Sequence, residues 1–236
     1  MKLLVSVINS LEAKTVLDAG CDIIDIKNPL EGSLGANHPN VIKEIVKLVN
    51  GSVEVSATIG DLPNLPGTAS LAALGAASLG VNYIKAGIYD VKRADEAIKL
   101  SRWIVEAINS FSLPTKVIIC GYGDAEYIGS IHPRQLPLIA YKSEASGILI
   151  DLKSKTSKTI FDYLSHEEIS SIVKEAHDLG LTVALAGGLS KEHIDILRNL
   201  EIDIMGVRRN VCNNISWTEC RISYDKVKEM YNLVKG

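Results

Sequence analysis

Two lysines stand at the ends of separate apolar stretches of this sequence, each two positions after another polar side chain. Lys27 follows Asp25 in this way, and Lys85 follows Tyr83. A lysine that is desolvated beside another cation loses its proton more easily and becomes a nucleophile toward carbonyl carbon atoms. Arginine would serve a structural ion pair better, because its charge is fixed and its guanidinium group is bidentate. The two lysines therefore predict Schiff-base chemistry, in which Lys27 and Lys85 act as imine-forming amine and general base.

Two carboxylates accompany these lysines. Asp25 precedes Lys27 by two positions, and Asp151 ends another apolar stretch, Gly147–Asp151. They could relay protons and hold the lysine side chains in place. The alternative is a structural ion-pair network, since such networks also carry buried charges and perturb ionisation. An isolated buried charge costs several kcal/mol, so in either case these groups must be paired and partly hydrated.

Two glycine-containing stretches near the C-terminus have the composition of a phosphate site. One contains Gly187 and Gly188, which allow another group to approach the backbone closely. The other contains Gly206, followed two positions later by Arg208. Because backbone N–H groups and arginine side chains both bind phosphate oxygens, these four residues are expected to hold a phosphorylated substrate.

Two long loops could cover such a site. Residues 28–36 follow Lys27, and residues 152–159, which include three lysines and four Ser or Thr residues, follow Asp151. A run of this kind is usually a solvated surface loop. Its place directly after Asp151 nevertheless makes Lys155 a candidate for phosphate binding or for catalysis, because long loops in a compact barrel are more often functional than idle.

A regular alternation of strands and helices must position these candidates. Eight short, apolar, β-branched runs recur at intervals of about 28 residues, which is the length of one βα unit. Between several of them, apolar residues recur at helical spacing, and helix N-caps are expected at Asn37, Ser165 and Ser190. The predicted strands are Leu3–Ile8, Asp22–Ile26, Val53–Thr58, Val81–Ala86, Lys116–Cys120, Gly147–Asp151, Leu181–Ala186 and Ile202–Val207.

Eight such units in 236 residues predict an α/β fold, a (β/α)8 TIM barrel that forms a single domain over residues 1–236. A doubly wound open sheet is the alternative. It usually carries a Gly-x-Gly-x-x-Gly turn after its first strand, and residues 7–10, Val-Ile-Asn-Ser, have no such pattern. No linker or low-complexity segment divides the chain.

Alternation along a barrel strand places every second side chain in the interior. Ile24 and Ile26 are the natural helix-facing pair, so Asp25 and Lys27 are expected to face inward together. The same rule points Lys85 and Asp151 inward from strands four and six. Functional groups of these barrels gather at the C-terminal ends of the strands, and the loops after strands seven and eight often bind phosphate. Position therefore favours an active site over a structural network.

The composition excludes several other classes of protein. Apolar residues make up 47% and charged residues 22% of the chain, which is typical of a folded globular protein. The net charge of −3 does not favour nucleic-acid binding. No apolar run reaches the length that a membrane-spanning helix needs. We therefore expect a soluble, cytoplasmic protein that binds neither nucleic acid nor membrane.

No metal site and no cofactor are expected. The histidines lie in predicted loops or helices rather than at strand ends, and the cysteines are scattered without a Cys-x-x-Cys pair. This distribution argues against both a zinc site and a disulfide framework. The residues concerned are His38, His132, His166, His177, His193, Cys21, Cys120, Cys212 and Cys220.

Three motifs give the chain a specific resemblance. Residues 25–29 read Asp-Ile-Lys-Asn-Pro, residues 31–36 read Glu-Gly-Ser-Leu-Gly-Ala, and residues 83–87 read Tyr-Ile-Lys-Ala-Gly. On these motifs the chain resembles the archaeal (5-formylfuran-3-yl)methyl phosphate synthase family over its whole length. The resemblance implies a barrel lyase that condenses two molecules of glyceraldehyde 3-phosphate, with release of phosphate and water, on the route to methanofuran. It also implies that Lys27 forms the Schiff base and that Lys85 accepts the proton.

Two other functions fit the same residues. A class I aldolase acting on another phosphorylated sugar would use the same lysines but would release no phosphate. A catalytically inert phosphosugar-binding barrel would form no covalent adduct with its ligand. In the lyase interpretation the only partner expected besides a further copy of the chain is a small phosphorylated triose, and a homo-oligomer is expected.

Overall fold

Eight parallel strands close into a barrel in the computed structural model, which describes residues 1–154, 156–213 and 220–236. The strands are β1 (Lys2–Val7), β2 (Ile23–Ile26), β3 (Glu54–Pro63), β4 (Tyr83–Asp90), β5 (Lys116–Tyr122), β6 (Gly147–Asp151), β7 (Thr182–Leu185) and β8 (Ile204–Val207). Each strand pairs with the next one along the chain, and β8 pairs with β1. The fold is therefore a (β/α)8 TIM barrel, as the sequence predicts.

Helices connect the strands and pack against the outside of the barrel. Ser165 caps its helix as expected, because its side chain accepts from Glu168 N while the Glu168 carboxylate accepts from Ser165 N. The helices are α1 (Ser10–Ala19), α2 (Pro39–Val49), α3 (Pro66–Ala77), α4 (Ala94–Ser110), α5 (Ala125–Ile128), α6 (Leu136–Lys142), α7 (His166–Asp178), α8 (Ile194–Asn199) and α9 (Tyr224–Lys235).

The N-cap expected at Asn37 is wrong by one position. Helix α2 begins at Pro39, and His38 is its N-cap. Proline suits the first position of a helix, because its φ is already helical and its missing N–H would be unsatisfied there anyway. The Asn37 side chain instead donates to the carbonyl oxygens of Ile8 and Lys27, which ties the start of α2 to the ends of β1 and β2.

Two apolar cores lie on the two faces of the sheet. Ile24 and Ile26 are fully buried in the core between strands and helices, which confirms the orientation expected for β2. Ile23, from the same strand, belongs to the second core inside the barrel, together with Leu4 and Leu149. Burying one such side chain stabilises the fold by about 1.5–3 kcal/mol, so a one-residue shift of register would be strongly disfavoured.

Strands β3 and β4 extend well beyond their predicted ends. Their pairing continues above the barrel mouth, with a register shift between Thr58 and Asp61. The added residues include Gly60, Asp61 and Pro63, whose residue types are depleted in strands, and this depletion hid the extension from sequence analysis. The extension brings Asp61 to the edge of the mouth.

The expectation about cysteine pairing is wrong for one pair. Cys212 and Cys220 form a disulfide bond, and an antiparallel bridge between Cys212 and Ile222 lies beside it. Their Cα atoms are 5.5 Å apart, a usual separation for a disulfide. Cys21 and Cys120 are buried free thiols. Spacing along the chain could not reveal this pair, because the bridge between Cys212 and Ile222 brings the two cysteines together.

Within the residues that the structure describes, no helix has both the length and the apolar character needed to cross a membrane.

Candidate active site

Asp25 is fully buried in the barrel, with three donors around its carboxylate. Lys85 Nζ lies 2.7 Å from Oδ2. Ser6 Oγ donates to Oδ2 at 2.8 Å, and Ser56 Oγ donates to Oδ1 at 2.6 Å. The strand register explains this arrangement, because Ser6, Asp25 and Ser56 are direct partners across β1, β2 and β3.

The surroundings of Asp25 favour its ionised form. Burial opposes ionisation, but the positive charges of Lys85 and Lys27 outweigh burial and hold the pKa of Asp25 below its ordinary value. Hydrogen bonds from Lys85 and Ser56 act in the same direction. The interior therefore contains a desolvated carboxylate–ammonium pair, which carries a proton that a reaction in the barrel could draw on.

Lys27 follows β2 directly and is only 5% exposed. Its Nζ lies 3.5 Å from the carbonyl oxygen of Ser33, a residue of the loop formed by residues 28–36. This loop folds back over the barrel mouth, since Leu34 is fully buried and belongs to the interior core. The loop thus screens the Lys27 amine from bulk solvent, as a loop covering a site would.

Asp151 ends β6 and lies beside the same loop. Its Oδ1 accepts from Leu152 N at 2.7 Å, and its Oδ2 lies 3.5 Å from Ser33 Oγ. Ser33 Oγ also donates to the Leu152 carbonyl oxygen at 2.7 Å. These contacts join the loops after β2 and β6, so that Lys27 and Asp151 face the same space.

The segment after β7 has the features of an anion site. Gly187 and Gly188 have φ values of +94° and +75°, in the left-handed region that favours glycine. A Cβ atom on Gly188 would lie 2.9 Å from the carbonyl oxygen of Lys158. Asn210 Nδ2 donates to the carbonyl oxygens of Gly188 and Leu189, at 2.9 Å each. Among the described residues, the amide groups of the two glycines donate to no carbonyl or side chain, which suits them to bind an anion.

Arg208, expected to bind phosphate, also forms a buried ion pair. Its Nη1 donates to Ser6 O and to Glu12 Oε2, both at 2.8 Å, and its Nη2 donates to Glu12 Oε1 at 3.3 Å. Its Nε has no partner among the described residues. Sequence reasoning did not single out Glu12, because an acidic residue in the first turn after the N-cap Asn9 is ordinarily explained by the helix dipole.

One cleft at the C-terminal ends of the strands brings most of the expected site residues together. Lys158 and Arg209, which the sequence did not single out as ligands, also line it, and Arg209 donates to the carbonyl oxygen of Thr156. The pair of adjacent arginines was the signal that could have identified Arg209. The expected residues that line the cleft are Lys27, Lys85, Asp151, Gly187, Gly188, Gly206 and Arg208.

Among the described residues, one expected site residue, Asp25, does not line this cleft. Asp25 is fully buried in the interior, in contact with Lys85. Lys155 lies outside the described residues. The walls that are described carry several cations and the single carboxylate of Asp151, so the cleft favours an anionic ligand.

A second polar cluster lies beside the cleft at the end of β3, and sequence reasoning missed its central residue, Asp61. Asp61 accepts from the amides of Ser33 and Leu34 and from the Tyr122 hydroxyl, and Lys153 Nζ lies 3.3 Å from its Oδ2. Burial and the Asp61 charge raise the pKa of Tyr122 well above its ordinary value, so the hydroxyl stays a donor. Within the cluster, Asp61 anchors the loop that covers Lys27, because it binds two of the loop amides.

No three His, Cys, Asp or Glu side chains lie close enough to hold a metal ion in the parts of the chain that the structure describes. The cleft combines a screened lysine amine, a second lysine paired with a carboxylate, and a cationic, glycine-rich wall.

Comparison with known proteins identifies close relatives over nearly the whole chain. Residues 3–231 match the family model described as 4-HFC-P synthase. A (5-formylfuran-3-yl)methyl phosphate synthase of Archaeoglobus fulgidus is 48% identical over 213 residues, which are 90% of this chain and 91% of the relative. The protein of the same name from Methanocaldococcus jannaschii is 44% identical over 235 residues, covering 100% of both chains.

Solved structures with the same architecture are more distant in sequence. A 3-hexulose-6-phosphate synthase superposes with a TM-score of 0.68 at 14% identity, covering 99% of this chain and 100% of that one. An orotidine 5′-phosphate decarboxylase from Pyrococcus horikoshii OT3 superposes with a TM-score of 0.65 at 18% identity, covering 99% of each chain. At these identities the likeness supports the barrel fold alone.

Proposed function

This chain belongs to the 4-HFC-P synthase family, and we propose that it condenses two molecules of glyceraldehyde 3-phosphate into (5-formylfuran-3-yl)methyl phosphate. The observation that carries the proposal is that Lys27 and Lys85 open into one cationic cleft, while a buried carboxylate holds the ammonium group of Lys85. The atoms balance when one phosphate and two molecules of water leave. The reaction would be a lyase step in methanofuran biosynthesis, carried out in the cytoplasm.

Lys27 is the better candidate for the nucleophile. Lys85 Nζ lies 2.7 Å from Asp25 Oδ2, and this buried ion pair suits Lys85 to proton transfer rather than to attack on the substrate. Lys27 Nζ has a carbonyl oxygen, that of Ser33, at 3.5 Å. Lys27 directly follows β2 and opens into the cleft, where its amine can reach an aldehyde carbon and form the imine.

Lys85 then acts first as an acid and next as a base. It protonates the departing hydroxyl of the carbinolamine on Lys27, so that water leaves and a protonated imine remains. The neutral Lys85 amine takes the proton from C2 of the substrate, which gives an enamine, and Asp25 stabilises the ammonium group that forms again. Phosphate leaves from C3, and the second aldehyde is captured in an aldol step. The adduct cyclises and loses two molecules of water, and hydrolysis of the imine releases the furan aldehyde from Lys27.

The anion side of the cleft holds a substrate phosphate in this proposal. The amides of Gly187 and Gly188 and the Arg208 side chain supply donors, while Glu12 fixes the arginine. Asp151 relays protons beside the loop formed by residues 28–36. Lys155, outside the described residues, stays a proposed catalytic or phosphate-binding residue.

The proposal is tested by incubating the protein with glyceraldehyde 3-phosphate alone. We expect inorganic phosphate and a furan chromophore to appear together, in equal amounts. Aldol product without phosphate release would instead identify a class I aldolase. If borohydride added with substrate left the protein mass unchanged, the Schiff-base mechanism would be rejected.

A further inference from the structure

Asp61 lies where β3 continues above the barrel mouth, and only 6% of its side chain is exposed. Its Oδ2 accepts from Ser33 N at 2.9 Å and lies near Lys153 Nζ. Its Oδ1 accepts from Leu34 N at 3.3 Å and from the Tyr122 hydroxyl. One carboxylate therefore binds two consecutive amides of the loop that covers Lys27.

The second of these amides belongs to the peptide group that contacts Lys27. The Leu34 N–H and the Ser33 carbonyl are the two ends of one planar peptide group, and they point in opposite directions. Asp61 Oδ1 binds the N–H end, and Lys27 Nζ lies 3.5 Å from the carbonyl oxygen at the other end. The rotation of this peptide group, which Asp61 restrains, decides where the carbonyl oxygen points.

The loop is shaped to let the carboxylate come this close. Gly32 precedes these amides with a φ of +139°, and a Cβ atom there would overlap the Asp61 carboxylate. On the far side, Ser33 Oγ donates to the Leu152 carbonyl oxygen at 2.7 Å. Asp61 and Leu152 thus hold the Ser33 residue from two directions, next to the Lys27 amine.

We propose that Asp61 is a positioning residue for imine formation, because it aims the Ser33 carbonyl at Lys27 Nζ and so keeps this amine directed at the substrate aldehyde. The inference rests on the proposed function, in which Lys27 forms the imine. A purely structural Asp61 would affect catalysis only as far as it affects folding. A positioning role and a purely structural role therefore predict different rates for the reaction of Lys27 with the substrate aldehyde.

The test measures how fast borohydride traps glyceraldehyde 3-phosphate on the peptide that contains Lys27, at saturating substrate. The Asp61→Asn substitution keeps the size of the side chain but turns an amide group toward one of the donors. It should lower the trapping rate about 100-fold, which is the effect of a misplacement of about 1 Å. The KM should change much less than kcat. Tyr122→Phe is the matched control, because it removes a buried hydrogen bond to the same carboxylate and leaves both loop amides bound.

In the Tyr122→Phe variant the trapping rate should stay within about threefold of the parent rate, because the amide contacts that position Lys27 are kept. The melting temperatures of both variants are measured alongside. If Asp61→Asn were trapped as fast as the parent, or if both variants lost activity in proportion to their loss of stability, the positioning role would be refuted. Should Asp61→Asn fail to fold, Gly32→Ala, which displaces the carboxylate and keeps its charge, must show the slow trapping.

The same experiment separates this inference from the proposed function. A parent protein that forms the Lys27 adduct but releases no phosphate would refute the furan-forming reaction, while the comparison between Asp61→Asn and the parent would still decide the role of Asp61. A parent protein that forms no adduct on Lys27 would refute both.

Discussion

At the scale of single residues, the buried pair of Asp25 and Lys85 shows why a charged group in this barrel is tolerated. Removing two charges from water costs several kcal/mol per ion, and the cost is offset only with good geometry and further hydrogen bonds. Ser6 and Ser56 supply those bonds, from the strands on either side of β2. The pair therefore depends on four strands, β1 to β4, each of which contributes one group.

Replacing Asp25 by asparagine should destabilise the fold strongly at neutral pH. It leaves Lys85 as an uncompensated buried charge, so we expect a loss of about 3–5 kcal/mol in the free energy of unfolding measured with urea. The pKa of Asp25 is lower in the folded state than in the unfolded state. The ionised carboxylate therefore stabilises the fold fully above the unfolded-state pKa of about 3.9, and this stabilisation is lost as the pH falls through the folded-state pKa. The gap between variant and parent should therefore be constant near pH 7 and shrink in acid.

The double variant Asp25→Asn, Lys85→Met provides the control for this prediction. It removes both charges, so most of the lost stability should return, while activity should not. A double variant as unstable as Asp25→Asn would show that the carboxylate stabilises the fold by some route other than its charge on Lys85.

Replacing Lys27 by arginine should abolish turnover and leave the fold intact. Guanidinium keeps the positive charge but does not form an imine under these conditions. Activity with glyceraldehyde 3-phosphate and the melting temperature are both measured, and Lys142→Arg, an exposed lysine on α6, is the matched control. Residual turnover in Lys27→Arg above that of buffer, or a borohydride adduct on the Lys85 peptide, would contradict the assignment of the nucleophile.

Residues whose role follows from the alternation of a strand could be predicted from the sequence. The inward direction of Asp25 follows from the outward direction of Ile24 and Ile26, because successive side chains of a strand alternate. Glu12 and Asp61 could not be predicted in this way. Their partners, Arg208 and Ser33, are 196 and 28 positions away, and no local pattern specifies contacts at such separations.

At the scale of elements, the loops form the walls of the site, and the strands determine where each loop begins. The loop after β2 is held by Asp61 from β3 and by Leu152 after β6, and the segment after β7 is held by Asn210 after β8. Helix positions and most strand positions followed from periodicity, whereas these loop conformations depend on hydrogen bonds between distant segments. The sequence therefore predicted where the loops begin but not how they fold over the mouth.

Replacing Gly188 by alanine should weaken phosphate binding more than it weakens the fold. A left-handed φ costs a residue with a side chain about 1–2 kcal/mol, and the added Cβ also meets the Lys158 carbonyl oxygen and Arg209. We expect the KM for glyceraldehyde 3-phosphate to rise at least about tenfold, which corresponds to the loss of one hydrogen bond to a charged group. Steady-state kinetics and thermal unfolding provide the measurements.

Gly180→Ala is the matched control for this substitution. Gly180 has nearly the same φ, +74°, and a Cβ there would meet nothing within 4 Å. It precedes β7, at the end of the barrel away from the cleft. Both variants should lose similar stability, and only Gly188→Ala should change the KM; equal kinetic effects would remove Gly188 from the anion site.

At the scale of the whole molecule, the closed barrel buries its two free thiols in different cores. Cys21 lies in the core between strands and helices, and Cys120 lies in the barrel interior. Burial, with a smaller effect of the Asp22 charge, raises the pKa of Cys21 to about 12, and burial also raises the pKa of Cys120. Both thiols are therefore protonated and shielded at neutral pH.

Because one closed sheet separates the two cores, both thiols should become reactive only when the barrel opens as a unit. A thiol reagent added to the native protein at pH 8 should label neither Cys21 nor Cys120, and both should be labelled at the same rate in moderate denaturant. Mass spectrometry of the two peptides follows each site separately, and Cys21→Ser is the control for independent opening. Faster labelling of one thiol would show that the cores open separately.

The contact between Arg208 and Glu12 has a consequence for the protein while it is being made. Translation proceeds from the N-terminus at about 5–20 residues per second, so the Glu12 carboxylate waits about 10–40 s for a partner that lies 196 residues further along the chain. In the proposed function Arg208 binds a substrate phosphate. A nascent polypeptide that has not yet reached Arg208 is therefore expected to bind phosphorylated trioses more weakly than the folded protein does.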